Sequence, residues 1–464
     1  MRTALSAISG RLSAVAVIGG LLAPGLAAQT SLSIYGDGRV VVRKTLPQSL
    51  QKGRNQLTLQ IEGLDAATLF SPDTAVTVTS ATVRYPTNLN EAITRAAGRT
   101  LSFVRARGDT VQATVVRVDP PQYRLADGRI LLSPPGDPLV PADLVRTAPE
   151  AAVAIEATRN RSSTQLAYIT QGVTWEATYQ ALIGGAQATI AGAATVSPQS
   201  LRVDSADVQL VSGSINRARA PEPRFFGVAA RAPAMAVAEA SLPAEQAVGE
   251  THVYTLPARL SLEPGVPVTT ALFPRATTAV TQEFVVPGVL PWRGWIGQMG
   301  EEENSVPVQV WYTFKRARGS VFGDRPLPGG TVQLYQPDSA GRVQLIGEAT
   351  IGHTPAGKDV RVQSGDAFDV SALRVQTEYT QETLPPPRRG MPARQRVTAS
   401  YRVTVTNAKT TAVTVDVREN HFGTWRVTES SVPVEKLSST ESRFRLHVAA
   451  GGETVLTYTV QVES

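Results

Sequence analysis

Any chemistry in this chain would rest on few residues. Four histidines are present, His252, His353, His421 and His447, and no two stand at the spacing that sets a pair of ligands on one helix face or across one hairpin. Cysteine is absent, which removes thiolate metal sites, cysteine nucleophiles, disulfides and a lipidated N-terminal cysteine together. A transition-metal site would have to draw on distant histidines and carboxylates, so neither a metal nor a cofactor is expected. His421 follows Glu419 and Asn420 at a strand end. It reads as a turn histidine, with a carboxylate-oriented base as the sharper alternative. No Gly-x-Ser-x-Gly elbow, no helical Ser-x-x-Lys, no phosphate loop, no dinucleotide fingerprint and no EF-hand loop occurs. No catalytic residue is assigned on this basis. Glu301, Glu302 and Glu303 form a solvated acidic run, with cation binding as the alternative. The binding candidates are Trp292 and Trp295, in PWRGWIG (291–297), where Pro and Gly place aromatics on a loop. Such residues stack on sugar rings or insert at an interface, and they also plug sandwich ends.

The elements that must carry these residues are strands. The chain has 464 residues, enough for two to four domains, and is 42% hydrophobic and 18% charged. Val, Thr, Ala, Gly and Pro dominate, the composition of pleated strands and turns. Residues 1–28 read as a signal peptide: Arg2 and Arg11, an apolar run from Ala14 to Leu22, then Pro24, Gly25 and small residues. Cleavage is expected after Ala28, with Ala27 as the alternative site and an uncleaved anchor as the alternative reading. No later stretch has the apolar length of a spanning helix, so no transmembrane segment is expected after cleavage. The formal charge of +6 falls to +4 without Arg2 and Arg11 (43 basic minus 39 acidic). That scattered excess gives nucleic-acid binding no support. Lys315-Arg316-Ala317-Arg318 and the group Arg388, Arg389, Arg394 and Arg396 read as solvated loops, with contact to an anionic surface as the alternative.

Along the chain, 29–87 reads as the start of a β-sandwich, opening on the Gly36-Asp37-Gly38 turn. A helix over Asn90–Ala97 and four or five short strands then predict a small SH3-like or OB-like barrel over 88–145, with Asp127-Gly128 as a hairpin turn. Residues 146–216 read as a meander of the main domain, although 146–162 returning to the first domain is an open alternative. In VTWEATYQAL (173–182), Val173, Trp175, Ala177, Tyr179 and Ala181 share one face. Core packing is the expected role of Trp175 and Tyr179, and a ligand-stacking platform the alternative. Residues 217–250 read as a flexible linker, 251–382 as the main β domain, 383–394 as a Pro/Arg-rich loop and 395–464 as a C-terminal sandwich. In that last domain Asn407-Ala408-Lys409-Thr410 and Gly451-Gly452 are expected hairpin connections. The fold class is therefore all-β: multi-domain sandwiches of immunoglobulin-like type with a small barrel inserted near the N-terminus.

Four stretches carry a resemblance to a known family. They are YITQGVTWEATYQALI (168–183) with DVQLVSG (207–213); YTLPARLSLEPGVPVTTALF (254–273); GGTVQLYQPDSAGRVQLIGEATIGHTPAGKDVRVQSGDAFDV (329–370); and YRVTVTNAKTTAVTVDVREN (401–420) with Trp425 and GGETVLTYTV (451–460). Over about residues 160–464 the chain resembles the secreted, largely β proteins grouped as domain of unknown function 4139, also called mucoidy-inhibitor-like proteins. The third stretch, with its Gly-Asp-Ala-Phe pattern, is the most specific. The resemblance implies an exported β protein and brings no catalytic residues. This chain departs from many relatives in lacking a coiled coil, whose place the 88–145 segment takes.

The expected function is a non-enzymatic structural or interaction protein of the cell envelope, periplasmic or extracellular, contacting another protein or a surface polymer. The alternative is a hydrolase acting on envelope glycan or peptide, with carboxylates converging in a pocket. An outer-membrane barrel is disfavoured by low aromatic content, irregular loops and a C-terminal Ser464.

Overall fold

The structure, a computed structural model, describes residues 29–61, 63–213, 243–288, 297–298, 304–386 and 393–463. The expected signal peptide, Trp292, Trp295, Glu301, Glu302, Glu303, Arg388 and Arg389 lie outside these residues. The expectation of an all-β chain is met: the described residues form 28 strands, one α-helix and two short 3-10 turns. They divide into two compact units, one of residues up to Leu32 with Val41–Thr170, the other of Ser33–Val40 with the chain from Gln171 onward. No helix among the described residues is long and apolar enough to cross a membrane.

In the first unit, strand Glu150–Ala157 lies between Gly53–Leu59 and Val76–Arg84, antiparallel to both. Its alternate residues Ala151, Val153, Ile155 and Ala157 are buried, which fixes the register because a one-residue slip would expose all four. This corrects the placement of 146–162 in the main domain, since the strand returns to its first-unit partners. The 88–145 segment is thus inserted between two paired strands, Val76–Arg84 and Glu150–Ala157. Its stems are tied where Thr87 N–H donates to the Arg146 carbonyl at 3.0 Å and Arg146 N–H donates to Thr87 Oγ1 at 2.9 Å. Helix Leu89–Arg95 starts on Asn88, whose side chain accepts from Glu91 N–H at 2.9 Å, and Gly98 follows it at φ +82°. The five short strands form one antiparallel sheet, and Ile93 and Ala96 seal its core over Leu101, Phe103, Val115 and Tyr123.

The second unit is built on a 13-stranded sheet. Strand Val173–Gly184 pairs antiparallel with Gln187–Pro198 and parallel with Gly330–Pro337. Trp175 and Tyr179 are core, as expected, at 8% and 2% exposure. Two close approaches explain glycines here. A Cβ on Gly330 would stand 2.2 Å from the Ala177 carbonyl oxygen, and one on Gly192 would stand 2.3 Å from the Phe273 ring that stacks beside Tyr179. Within the expected main β domain, residues Val268–Val286 form one long strand of 19 residues. Strand Val360–Leu384 is 25 residues long and bent by register shifts at three places. The expected linker ends early, because Ala244–Val248 is a strand paired with Thr251–Thr255. The Pro/Arg-rich loop is also shorter than expected, since strands occupy Leu384 and Arg394.

Neither expected C-terminal hairpin forms. Strand Arg394–Asn407 pairs with Val360–Leu384 and Glu453–Glu463, whereas Val413–Asn420 pairs with Glu441–Val448 and, in parallel, with Val268–Val286. Both turns therefore cross from one layer to the other. Phe444 and Tyr458, on the strands that the second turn joins, stack at 4.8 Å between the layers. Buried Asn407 clasps the two crossings: its side-chain amide donates to the Thr411, Val448 and Ala449 carbonyls at 2.9, 3.4 and 3.0 Å.

Candidate functional site

The four histidines occupy four separate settings. His252 Nδ1 meets Glu245 Oε1 at 2.7 Å on the Thr251–Thr255 strand, and His447 is exposed on Glu441–Val448. His421 is 2% exposed, bonded through Nε2 to Ser442 Oγ at 2.8 Å and stacked on Trp425 at 4.1 Å. Its partner is a hydroxyl and not the Glu419 carboxylate, so the base reading finds no support. Among the described residues no three metal-ligating side chains gather.

The pH behaviour of His421 follows from its setting. Burial, with nearby Lys436 adding to it, pulls the imidazole down from 6.5 to about 4. Folding therefore favours the neutral ring. Stability is complete above about pH 6.5 and declines as pH falls toward 4, where the unfolded chain binds the extra proton. Urea unfolding at stepped pH is expected to lose about 3 kcal/mol to this group across that window. A His421→Gln variant is expected to show a shallower slope there.

A cleft of about 410 Å³ in the second unit is lined by Tyr35, Asp37, Arg39, Trp175, Glu176 and His353, with Gly36, Ser212, Gly213 and Gly329 among its walls. The Gly36-Asp37-Gly38 turn puts Asp37 and Arg39 together, Arg39 donating through Nε to Asp37 at 3.0 Å and pairing through Nη2 at 2.9 Å. The same guanidinium lies 5.5 Å from the Tyr35 ring centre. Trp175 Nε1–H donates to the Val211 carbonyl at 3.3 Å. His353 Nδ1 accepts from Gly329 N–H at 2.9 Å and meets Ser212 Oγ at the same 2.9 Å. A backbone amide on Nδ1 fixes the tautomer, so the neutral ring carries its proton on Nε2. Sequence reasoning missed this group because residues 35, 176, 212 and 353 are brought together only by strand pairing.

A second cluster is sealed in the C-terminal layers. Arg374 Nη2 donates to Glu419 at 2.6 Å, with the two side chains 2% and 7% exposed, and Tyr458 hydroxyl also bonds the carboxylate. Burial pushes the Glu419 carboxyl upward against the pull of Arg374. This acid is shut inside the layers, unlike the raised carboxylates at a pocket that the hydrolase reading would use. Arg374 Nη1 also donates to the Pro287 carbonyl at 3.1 Å, and buried Gln376 donates to the Gly297 carbonyl at 3.1 Å. Two buried side chains thus hold the chain on either side of 289–296, the stretch containing Trp292 and Trp295.

The expected solvated loop at 315–318 is corrected at Arg316, which is 1% exposed and bonded to backbone carbonyls. Arg394 and Arg396 are not free cations either: both pair with Glu463.

Among the described residues, the most exposed large apolar side chain is Phe368, at 100%. It sits where Val360–Leu384 bulges: Asp366 opposes Gln309 and Ser371 opposes Pro307, so on the side of strand Asn304–Phe314 residues 367–370 stand opposite Val308 alone. The bulge is pinned beyond Phe368, where Ala408 N–H donates to the Asp369 carbonyl at 2.8 Å and Lys409 pairs with Asp369 at 3.6 Å.

Compared with family models and with curated proteins, the sequence matches neither a family model nor a curated protein.

Proposed function

We propose that this chain is an exported, non-enzymatic interaction protein of the bacterial envelope, of the kind its sequence resembles, and that it contacts a protein or surface polymer through Phe368. The observation that carries this reading is a wholly exposed aromatic on a bulge between paired strands, its backbone tied at the neighbouring Asp369. Aromatic side chains that become buried in a contact are the usual anchors of interfaces. Trp292 and Trp295 are a second contact in this reading, because their segment springs from stems held by Arg374 and Gln376. Export is supported by the charged, apolar and small-residue order of residues 1–28.

Phe368→Ser is expected to leave unfolding free energy within about 0.5 kcal/mol, since no packing is lost. The same change is expected to weaken partner capture by about 30-fold, the loss of one aromatic anchor. Cross-linked co-purification from the native envelope, read by mass spectrometry for the parent, for Phe368→Ser and for Trp292→Ala/Trp295→Ala, measures this. A partner retained equally by all three would contradict the reading.

Envelope hydrolysis is the second reading, and the contact between Ser212 Oγ and His353 Nδ1 favours it as a nucleophile–base geometry. Against it, the Gly329 amide occupies the same lone pair that would have to accept the serine proton. Covalent labelling of Ser212 by a fluorophosphonate would favour hydrolysis over binding.

A further inference from the structure

We propose that the cleft of the second unit binds a cationic organic group, an ammonium or a guanidinium, with Glu176 as the counter-charge. The inference goes beyond the Phe368 contact and does not rest on it. Three charged side chains line the cleft: Asp37, Arg39 and Glu176. Asp37 and Arg39 neutralise each other through contacts of 2.9 and 3.0 Å. Arg39 is the lining cation, and it is further occupied against the Tyr35 ring at 5.5 Å. An anionic ligand would find its one cation already committed. Glu176 differs: it alternates outward from the buried Trp175 and Ala177, is exposed, and has no ionic partner among the described residues. Among the described residues the cleft therefore holds one negative charge, that of Glu176, with no ion-pair partner.

The other groups fit the same ligand. His353 contributes an Nε2–H donor to an acceptor beside the cationic group, as an amide carbonyl would offer. Gly36 leaves main chain uncovered along the wall, since nothing lies within 4 Å of a Cβ placed on it. A volume of about 410 Å³ admits a single arginine or lysine side chain with its flanking amides. The ligand class is thus a basic side chain presented by an amide-bearing chain.

The test uses N-acetylarginine amide, with N-acetylglutamine amide as its uncharged control, titrated into the full chain while the amide resonances of Gly36, Gly213 and Gly329 are followed by NMR. Saturable shifts with the arginine compound and none with the glutamine compound are expected. In Glu176→Gln, an exposed and nearly isosteric change, affinity is expected to fall about tenfold, the loss of one charge-assisted hydrogen bond. Equal shifts from both compounds, an unchanged affinity in Glu176→Gln, or no cleft shift at millimolar probe would each overturn the proposal.

Discussion

Replacing Arg374 by leucine is expected to lower the unfolding free energy of the second unit by about 3–5 kcal/mol, because it leaves the Glu419 carboxylate buried and unpaired. The size of the effect comes from what remains after the change. Glu419 would retain the Tyr458 hydroxyl but lose the Arg374 guanidinium, its cation among the described residues, and the Pro287 carbonyl would lose its guanidinium donor. Burial already pushes this carboxyl upward, so removing Arg374 would drive it further toward the protonated form. The double change Arg374→Leu/Glu419→Leu is expected to recover most of the loss, since a buried ion pair is worth little against apolar residues of similar size. Urea unfolding followed by tryptophan fluorescence measures this cleanly. The described tryptophans, Trp175, Trp311 and Trp425, fall in the second unit, and residues 29–170 contain no tryptophan, so the signal does not report the first unit.

Arg316 carries the second large effect. Its guanidinium meets no carboxylate among the described residues. Nε donates to the Phe322 carbonyl at 3.0 Å, Nη1 to those of Pro355 and Lys358 at 2.8 and 3.2 Å, and Nη2 to that of Arg325. The group also lies 5.1 Å from the Phe322 ring centre, while Asp359 takes the Arg316 backbone N–H at 2.9 Å and the Lys315 ammonium at 2.7 Å. One side chain thus satisfies carbonyls on two loop segments, 322–325 and 355–358. Arg316→Met is expected to cost about 3–4 kcal/mol, the sum of several carbonyls left short of a donor less what water restores. Arg316→Lys is expected to recover only part of this, because an ammonium cannot reproduce the planar fork. The same fluorescence measurement applies, and limited proteolysis is expected to cut first within 317–327 in both variants.

Much of this architecture was legible in the sequence where one face of a strand is buried. The alternation of Val173, Trp175, Ala177, Tyr179 and Ala181 is a period of two, and the register with Gln187–Pro198 follows from it. Legibility failed where the deciding contact is distant. Asn407-Ala408-Lys409-Thr410 and Gly451-Gly452 look like hairpin turns, yet a short polar connection suits a crossing between layers equally well. Only the pairing of Arg394–Asn407 with Glu453–Glu463 decides between them. The length of Val360–Leu384 was hidden for a related reason. Its bulges interrupt the period of two, and Arg374 and Gln376 put polar residues at buried positions. Arg316 was misread because a basic run beside glycine has the composition of a loop, and its carbonyl partners lie up to 42 residues away.

The candidate sites show the same division. Phe368 lay within the Gly-Asp-Ala-Phe pattern singled out from the sequence, but its exposure depends on the bulge opposite Val308. The cleft could not be read in advance, because its five segments, near residues 36, 176, 212, 329 and 353, are separated by most of the chain.

The central claim is that Phe368 is the contact point with an envelope partner. Its most direct test is photo-crosslinking in the native cells from a benzoylphenylalanine placed at position 368, with the same group at exposed Val455 as the control. A single recurrent adduct from position 368, absent from position 455, is the predicted result. Adducts absent from position 368, or equally diverse at both positions, would contradict the account.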